Sequence, residues 1–370
     1  MIYANRQQHS ASGCRGLRAL DQLRDLPIIP AFMLSLLLAC MTLAACDESE
    51  PSGPMPQDDT TSHNFEWYID TLGAELSRVN DVYCISENDA WAVGYFYYSD
   101  PETGQRDRTR NANAAHWDGE KWTMHRINPT YDNHQTFAEL LAVHAFPSNN
   151  IWVNERHWNG DRWVAYDLNN ISSGATRKIW GERPDNVYFV GYDGSLTRWN
   201  GMAFAQLDGG TTAAYCDVWG WKDTMYVAVS DYELQSGRRG YLLRYEGGVF
   251  QRREIFDFNE QIAVWGMNGT WYSGGCSPLY RKTGGEWKRA LAPADCITGI
   301  RGTSLNNVYI FLTRGSILHY NGSTFTAILD KEQSGNFYTH TVSVAGDMVL
   351  ACGLLNGHAI IKRGYQKAKE

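Results

Sequence analysis

The feature that most constrains the fold of this 370-residue chain is a short pattern that returns about every 40 residues. In most copies a pair led by Asn or Asp stands before an apolar residue and an aromatic one; Thr270 takes the apolar place in one copy, and the last copy begins with Gly346 and ends in Val349. Copies occur at residues 88–91, 149–152, 185–188, 223–226, 268–271 and 306–309, with a weaker copy at 346–349. Repeats of this length are typical of folds in which similar units stack, because one unit cannot bury its apolar faces alone.

A second pattern alternates with the first and predicts tight turns. Clear copies are His116-Trp117-Asp118-Gly119 and Arg198-Trp199-Asn200-Gly201, each followed three residues later by another aromatic. Asp-Gly or Asn-Gly between apolar residues favours a hairpin, because these residues tolerate positive φ. Together the two patterns predict four antiparallel strands in each unit, which is the blade of a β-propeller.

The predicted fold is therefore all-β, with a single propeller of seven four-stranded blades over residues 64–370. The final unit lacks a clear outer strand, whereas an unpaired strand-like segment, Phe65–Asp70, precedes the first unit. We expect residues 64–71 to supply the missing strand, because this closure removes two exposed sheet edges at once.

The N-terminal segment has the composition of an export signal. Arginines occupy its first part, an apolar run is densest from Met33 to Ala45, and an acidic stretch follows. An uncleaved membrane anchor over residues 26–46 is the alternative, since this length nearly spans a bilayer. Pro27 and Pro30 and the abrupt acidic stop disfavour it.

The end of the apolar run, Leu43-Ala44-Ala45-Cys46, resembles the lipobox of bacterial lipoproteins. This resemblance implies that residues 1–45 are removed and that Cys46 carries fatty acyl chains such as palmitate. Several acyl chains on one residue give stable membrane attachment. Residues 46–63 are polar, acidic and contain proline, which predicts a flexible tether. The expected location is the bacterial cell envelope, with the inner or outer membrane left open.

The repeated body also resembles bacterial envelope β-propellers. Their repeat has the type Val-Trp-Gly, then Asp-Val-Trp-Ala-Val-Gly, then His-Trp-Asp-Gly, and Val218-Trp219-Gly220 and Val264-Trp265-Gly266 match its first part. The resemblance covers residues 64–370 and implies an exported or lipid-anchored propeller. It carries no assigned activity with it.

Three long departures from the repeat, at residues 95–113, 127–139 and 230–240, are expected on one side of the propeller. Loops carry function, and tyrosine and arginine are common anchors of binding sites. The candidate binding face therefore consists of Tyr95, Tyr97, Tyr98, Arg106, Arg108, Tyr131, Tyr232 and Arg238. Insertions without any role are the alternative.

The cysteines suggest one covalent link. Besides Cys46, five cysteines follow the leader, and Cys276 and Cys296 are expected on the same face of neighbouring blades. They are the predicted disulfide pair. In the alternative, all five are small buried residues.

Other function classes find little support in the sequence. A formal net charge of −8 argues against a nucleic-acid binder that depends on neutralising phosphates. No metal-binding or catalytic motif occurs, so no catalytic residue, metal ligand or cofactor is assigned. The predicted function is a membrane-anchored binding or scaffold module for an envelope protein or glycan. The alternatives are an extracellular polysaccharide-active hydrolase or lyase, which a deep axial cleft with converging ionisable groups would favour, and a structural part of a larger envelope assembly.

Overall fold

The computed structural model describes residues 60–131, 134–135, 137–168, 170–231, 239–253, 263–276 and 278–369. The predicted leader, Cys46 and the tether up to residue 59 lie outside the described residues. Tyr232 and Arg238 of the candidate binding face lie outside them as well. Among the described residues, no helix has the length and apolar character needed to cross a bilayer.

The described strands form seven four-stranded antiparallel sheets and one two-stranded hairpin, so the predicted all-β propeller with seven blades is confirmed. Strand β1 (Phe65–Leu72) comes first in the chain. Blade 1 contains β2 (Arg78–Ser86), β3 (Asp89–Ser99), β4 (Arg106–Trp117) and β5 (Trp122–His125). The small hairpin β6 (Thr130–Tyr131) and β7 (His134–Gln135) follows. Blade 2 contains β8 (Val143–Ala145), β9 (Ile151–Val153), β10 (Arg156–Trp158) and β11 (Trp163–Ala165).

The remaining blades follow the same order, from the inner strand to the outer one. Blade 3 contains β12 (Thr176–Arg183), β13 (Asn186–Gly191), β14 (Leu196–Trp199) and β15 (Phe204–Gln206). Blade 4 contains β16 (Ala214–Trp221), β17 (Thr224–Asp231), β18 (Arg239–Glu246) and β19 (Val249–Arg253). Blade 5 contains β20 (Ala263–Met267), β21 (Thr270–Gly274), β22 (Leu279–Thr283) and β23 (Trp287–Leu291). Blade 6 contains β24 (Ile297–Ser304), β25 (Asn307–Leu312), β26 (Ile317–Tyr320) and β27 (Phe325–Leu329). Helix α1 (Lys331–Ser334) then leads to blade 7, with β28 (Phe337–Ala345), β29 (Met348–Leu355) and β30 (His358–Gln366).

The glycines of the second sequence pattern form the turns between the third and fourth strands of the blades. Gly119, Gly160, Gly201 and Gly322 end four copies of the second pattern and have φ between 92° and 98°. This conformation is costly for residues with a Cβ, so glycine at these positions fixes the hairpin between the third and fourth strands.

The ring closes as predicted. Strand β1 pairs antiparallel with β30 from Phe65 opposite Gln366 to Leu72 opposite Ala359. The N-terminal strand thus becomes the outer strand of the last blade, and β30 keeps no exposed edge.

A propeller of this order has two different faces. The turn face carries the short turns from first to second and from third to fourth strands. The loop face carries the connections from second to third strands and from each blade to the next. The apolar core lies between blades, where the recurring Trp117 and Trp199 are buried.

Candidate functional site

Among the described strands, β3 and β4 of blade 1 are the longest, and they form a hairpin on the loop face. Strand β3 continues to Ser99 and β4 begins at Arg106, so the loop expected over residues 95–113 shrinks to residues 100–105. Aromatic residues favour strands because they pack on neighbours across the sheet. Tyr97 pairs with Asn111 in this extension. The insertion is therefore a projecting hairpin with fixed side-chain positions.

Alternation along β3 divides the tyrosines between the two sides of this hairpin. On one side, the rings of Tyr95 and Tyr97 lie 5.0 Å apart, and that of Tyr95 lies 5.8 Å from Phe137. The guanidinium of Arg106 lies 4.6 Å above Tyr97, and that of Arg126 lies 3.8 Å above Phe137. We call these five residues the aromatic shelf. Its cation–π contacts hold both arginines over ring faces.

Three other predicted residues lie apart from the shelf, whereas Tyr232 and Arg238 are outside the described residues. Tyr98 lies on the opposite side of the hairpin, where Arg110 covers its ring at 5.4 Å and the ring packs against the core between blades 1 and 7. Arg108 lies in β4 and Tyr131 in β6, both on the loop-face side of blade 1. The structure therefore brings together Tyr95, Tyr97 and Arg106 of the predicted set and separates Tyr98 from them.

A second feature of the loop face, the axial mouth, did not follow from the sequence. Five inner strands have a register shift at the same position near their beginning. The extra residues are Asn80, Arg177, Cys216, Thr298 and His340, and all five line one cavity of about 380 Å³. A β-bulge redirects the side chain of its extra residue. The repeated bulge thus assembles a ring of different side chains around the propeller axis.

Two buried ion pairs lie at the base of the axial mouth, and Lys178, Asp217 and Arg301 are part of its lining. The carboxylate of Asp217 accepts hydrogen bonds from Arg301 at 2.8 and 2.9 Å and from the backbone N–H groups of Val218 and Val264. Burial opposes the charge of Arg301, but the Asp217 carboxylate outweighs this effect and raises the pKa of the guanidinium. The guanidinium therefore stays charged, and its hydrogen bonds hold it against Asp217.

Asp81 repeats this arrangement on the other side of the ring. Its carboxylate accepts hydrogen bonds from the backbone N–H groups of Val82 and Val143 and, at 2.6 Å, from Lys178. Lys178 also donates to the hydroxyl of Thr341. Each carboxylate thus bonds its own blade, the next blade and a cation two blades further on. Four hydrogen bonds reach Asp217 and three reach Asp81, so both carboxylates are engaged in joining blades.

His144 lies below the mouth, fully inside the channel wall. Its Nε2 donates to the carbonyl of Gly181 at 3.1 Å, and its ring meets that of Tyr83 edge-on. Burial lowers the pKa of His144 to about 3. The ring is therefore neutral at physiological pH.

The loop face also carries a covalent link. A disulfide joins Cys276, after the second strand of blade 5, to Cys296, before the first strand of blade 6. Cys84, Cys216 and Cys352 are buried and take no part in this disulfide. Within the described ranges, no three His, Cys, Asp or Glu side chains gather as a metal site would require.

No family model matches the sequence, and no curated protein matches it either. Several solved structures are similar to this propeller in fold. A structure of YCF48 bound to a D1 peptide has a TM-score of 0.60 at 14% identity, covering 84% of this chain and 99% of that one. These likenesses show the fold alone. Catalytically inactive virginiamycin B lyase from Staphylococcus aureus with quinupristin gives 0.61 at 11% identity over 82% and 99% of the two chains. The WD40 β-propeller domain of Doa1 gives 0.57 at 10% identity over 82% and 98%.

Proposed function

We propose that this protein is a lipid-anchored binding or scaffold module of the bacterial cell envelope, which holds a protein or glycan on its loop face. The aromatic shelf is the observation that carries this proposal. Tyrosine and arginine provide large contact areas at a small entropic cost when their positions are already fixed. Stacking of Arg106 on Tyr97 and of Arg126 on Phe137 provides that order before any ligand arrives.

The shelf and the axial mouth are parts of one surface. A single connection supplies Phe137 to the shelf and Leu141 to the lining of the mouth. Between them, Glu139 accepts hydrogen bonds from Arg78 and Asn80, which fastens this connection to blade 1. An extended ligand lying across the shelf therefore reaches the mouth without any rearrangement of the backbone.

The chemistry of the mouth favours binding over catalysis by carboxylates. In most glycoside hydrolases, two carboxyl groups are directed at the scissile bond. The carboxylates of Asp81 and Asp217 are instead bonded to cations and backbone amides. A propeller of this fold is able to hold a peptide, as the YCF48 structure does, which is consistent with a binding role.

Crosslinking in living cells tests the proposed face. A photoreactive amino acid placed at Gln105, in the exposed loop of the hairpin, is expected to capture a partner, whereas the same residue at Met202, on the turn face, is not. Loss of the Gln105 product after Tyr95→Ala and Tyr97→Ala substitution supports the shelf. Crosslinks at Met202 alone contradict the proposal.

The lipid anchor is tested separately. The basis of this part of the proposal is the Leu43-Ala44-Ala45-Cys46 sequence after the apolar run. Cys46→Ala is expected to abolish labelling with a radioactive fatty acid and to move the protein from the membrane fraction to the soluble one. Unchanged labelling contradicts lipidation at Cys46.

A further inference from the structure

Residues 61–63, just before β1, lie against blade 6. The hydroxyl of Thr61 donates to the carbonyl of Asn306 at 2.6 Å, and its backbone N–H donates to the carbonyl of Asn321 at 3.2 Å. Asn321 donates back to the carbonyl of Thr61 through its side chain. Both asparagines lie at turns that belong to the turn face.

Further contacts fix the same segment from both sides. Nδ1 of His63 lies 2.9 Å from Nδ1 of His319, and its Nε2 lies 3.2 Å from the hydroxyl of Thr324. The side chain of Gln366 donates to the carbonyl of Ser62 at 2.6 Å. Residues 61–63 are thus held on the turn face, which is where the described part of the chain begins.

We infer that the propeller stands with its turn face toward the anchoring membrane and presents the loop face away from it. This inference rests on the proposed lipid anchor at Cys46. It narrows the class of partner, because a ligand held by the aromatic shelf then comes from the aqueous compartment. The expected partner is a soluble protein or a glycan rather than a segment embedded in the same bilayer.

The dimensions of the tether support this orientation. Fourteen residue steps separate Cys46 from Thr60, and a chain with the properties predicted for this tether spans about 20 Å on average. To turn the loop face toward the bilayer, the tether has to pass along the outer edge of the blade. Strand β1 alone, with eight residues, measures about 26 Å there. The inverted arrangement stretches the tether beyond its average length, whereas the upright arrangement does not.

Energy transfer to the membrane tests the orientation. Glu102→Cys on the loop face and Glu120→Cys on the turn face form a matched pair, since both are exposed glutamates of blade 1. Each full-length lipidated variant is labelled with a donor dye and reconstituted into phosphatidylcholine vesicles that contain an acceptor-labelled lipid. Both variants also carry Cys216→Ala, because Cys216 lines the axial mouth, whereas Cys84 and Cys352 are buried in the apolar core and protected from the label.

We expect the transfer efficiency from position 120 to exceed that from position 102, because the eight residues of β1 put about 26 Å between the two faces. Insertion of thirty Gly/Ser residues before Thr60 is expected to reduce this difference, because the longer chain permits inversion. Equal transfer from both positions in vesicle-bound protein, or greater transfer from position 102, overturns the orientation but leaves the anchor intact. Failure of every variant to float with the vesicles overturns the anchor and the orientation together.

Discussion

The guanidinium of Arg301 makes two hydrogen bonds, at 2.8 and 2.9 Å, to the carboxylate of Asp217, which lies two blades earlier in the ring. Asp81 and Lys178 stand in the same relationship, again two blades apart. Between each pair, the intervening blade donates one backbone N–H to the same carboxylate. Each aspartate therefore ties three successive blades together at the base of the axial mouth.

Replacement of Asp217 by Ala is expected to lower the free energy of unfolding by about 3–5 kcal/mol, because it leaves Arg301 buried without its counterion. Arg301→Met is expected to cost less, because the remaining carboxylate keeps its bonds to the N–H groups of Val218 and Val264. Urea denaturation measures both values. Arg183→Met, at an exposed ion pair, is the control and is expected to change little. An Arg301 variant less stable than the Asp217 variant contradicts this account.

Stability is expected to fall as the pH drops below about 6.5. Burial lowers the pKa values of His144 and His319 to about 3, so these rings stay neutral in the fold while they take up protons in the unfolded chain. Each contributes a loss of about 1.4 kcal/mol per pH unit between 6.5 and 3. His144→Gln retains a donor for Gly181 and is expected to reduce this slope. Denaturation curves from pH 7 to pH 4 measure it, and an unchanged slope contradicts the assignment.

The disulfide between blades 5 and 6 is expected to stabilise the fold by about 3 kcal/mol, because it closes a loop of 20 residues. The double variant Cys276→Ser, Cys296→Ser is expected to unfold at a lower temperature. A reducing agent is expected to lower the unfolding temperature of the wild type but not that of the double variant. Intact mass gives an independent check, since the wild type should be two hydrogens lighter than its reduced form. An equal response of both proteins to reduction contradicts the link.

Asp70 is expected to hold the closing strand. Its carboxylate accepts hydrogen bonds from Arg363 in blade 7 and from the indole of Trp122 in blade 1. Asp70→Ala is expected to cost about 3 kcal/mol, since it leaves Arg363 buried without its partner. Faster hydrogen exchange of the amides in β1 reports the opening of the ring. Glu66→Ala, on the same strand but at an exposed pair with Lys367, is the control without effect. Unchanged exchange in the Asp70 variant contradicts this role.

The number of blades and their closure could be predicted because local signals determine them. Gly119 and its equivalents need positive φ, and the unpaired strand that begins at Phe65 needed a partner. The axial mouth could not be predicted in the same way. A bulge adds one residue to a strand and breaks the alternation of its side chains between the two faces. The bulged residues Asn80 and Arg177 therefore do not stand out in the hydrophobic pattern of the sequence. A partial signal did exist, since Asp217 interrupts an apolar inner strand directly before Val218.

In the hairpin of blade 1, the sequence indicated a function for the segment but not its local structure. Its tyrosines indicated a binding face, but a run of polar residues after them suggested a loop. Pairing across β3 and β4 instead turned most of the segment into strand, so that Tyr98 points away from Tyr97. In a strand, successive side chains point to opposite faces. A segment predicted as a loop carries no such alternation, so the opposite directions of Tyr97 and Tyr98 could not be foreseen. The aromatic partner Phe137, from the connection to blade 2, requires a tertiary contact that no local pattern contains.

The most direct test of the binding role is the affinity of the partner captured at Gln105 for two matched triple variants. The loop-face variant carries Tyr95→Ala, Tyr97→Ala and Arg106→Ala. The turn-face variant carries Met202→Ala, Val249→Ala and Arg162→Ala, which likewise removes two large apolar side chains and one arginine at exposed positions. Titration calorimetry is expected to show an affinity at least about tenfold weaker for the loop-face variant, equivalent to 1.4 kcal/mol, and an unchanged one for the turn-face variant. Full affinity in the loop-face variant together with loss in the turn-face variant would contradict a binding role for the aromatic shelf.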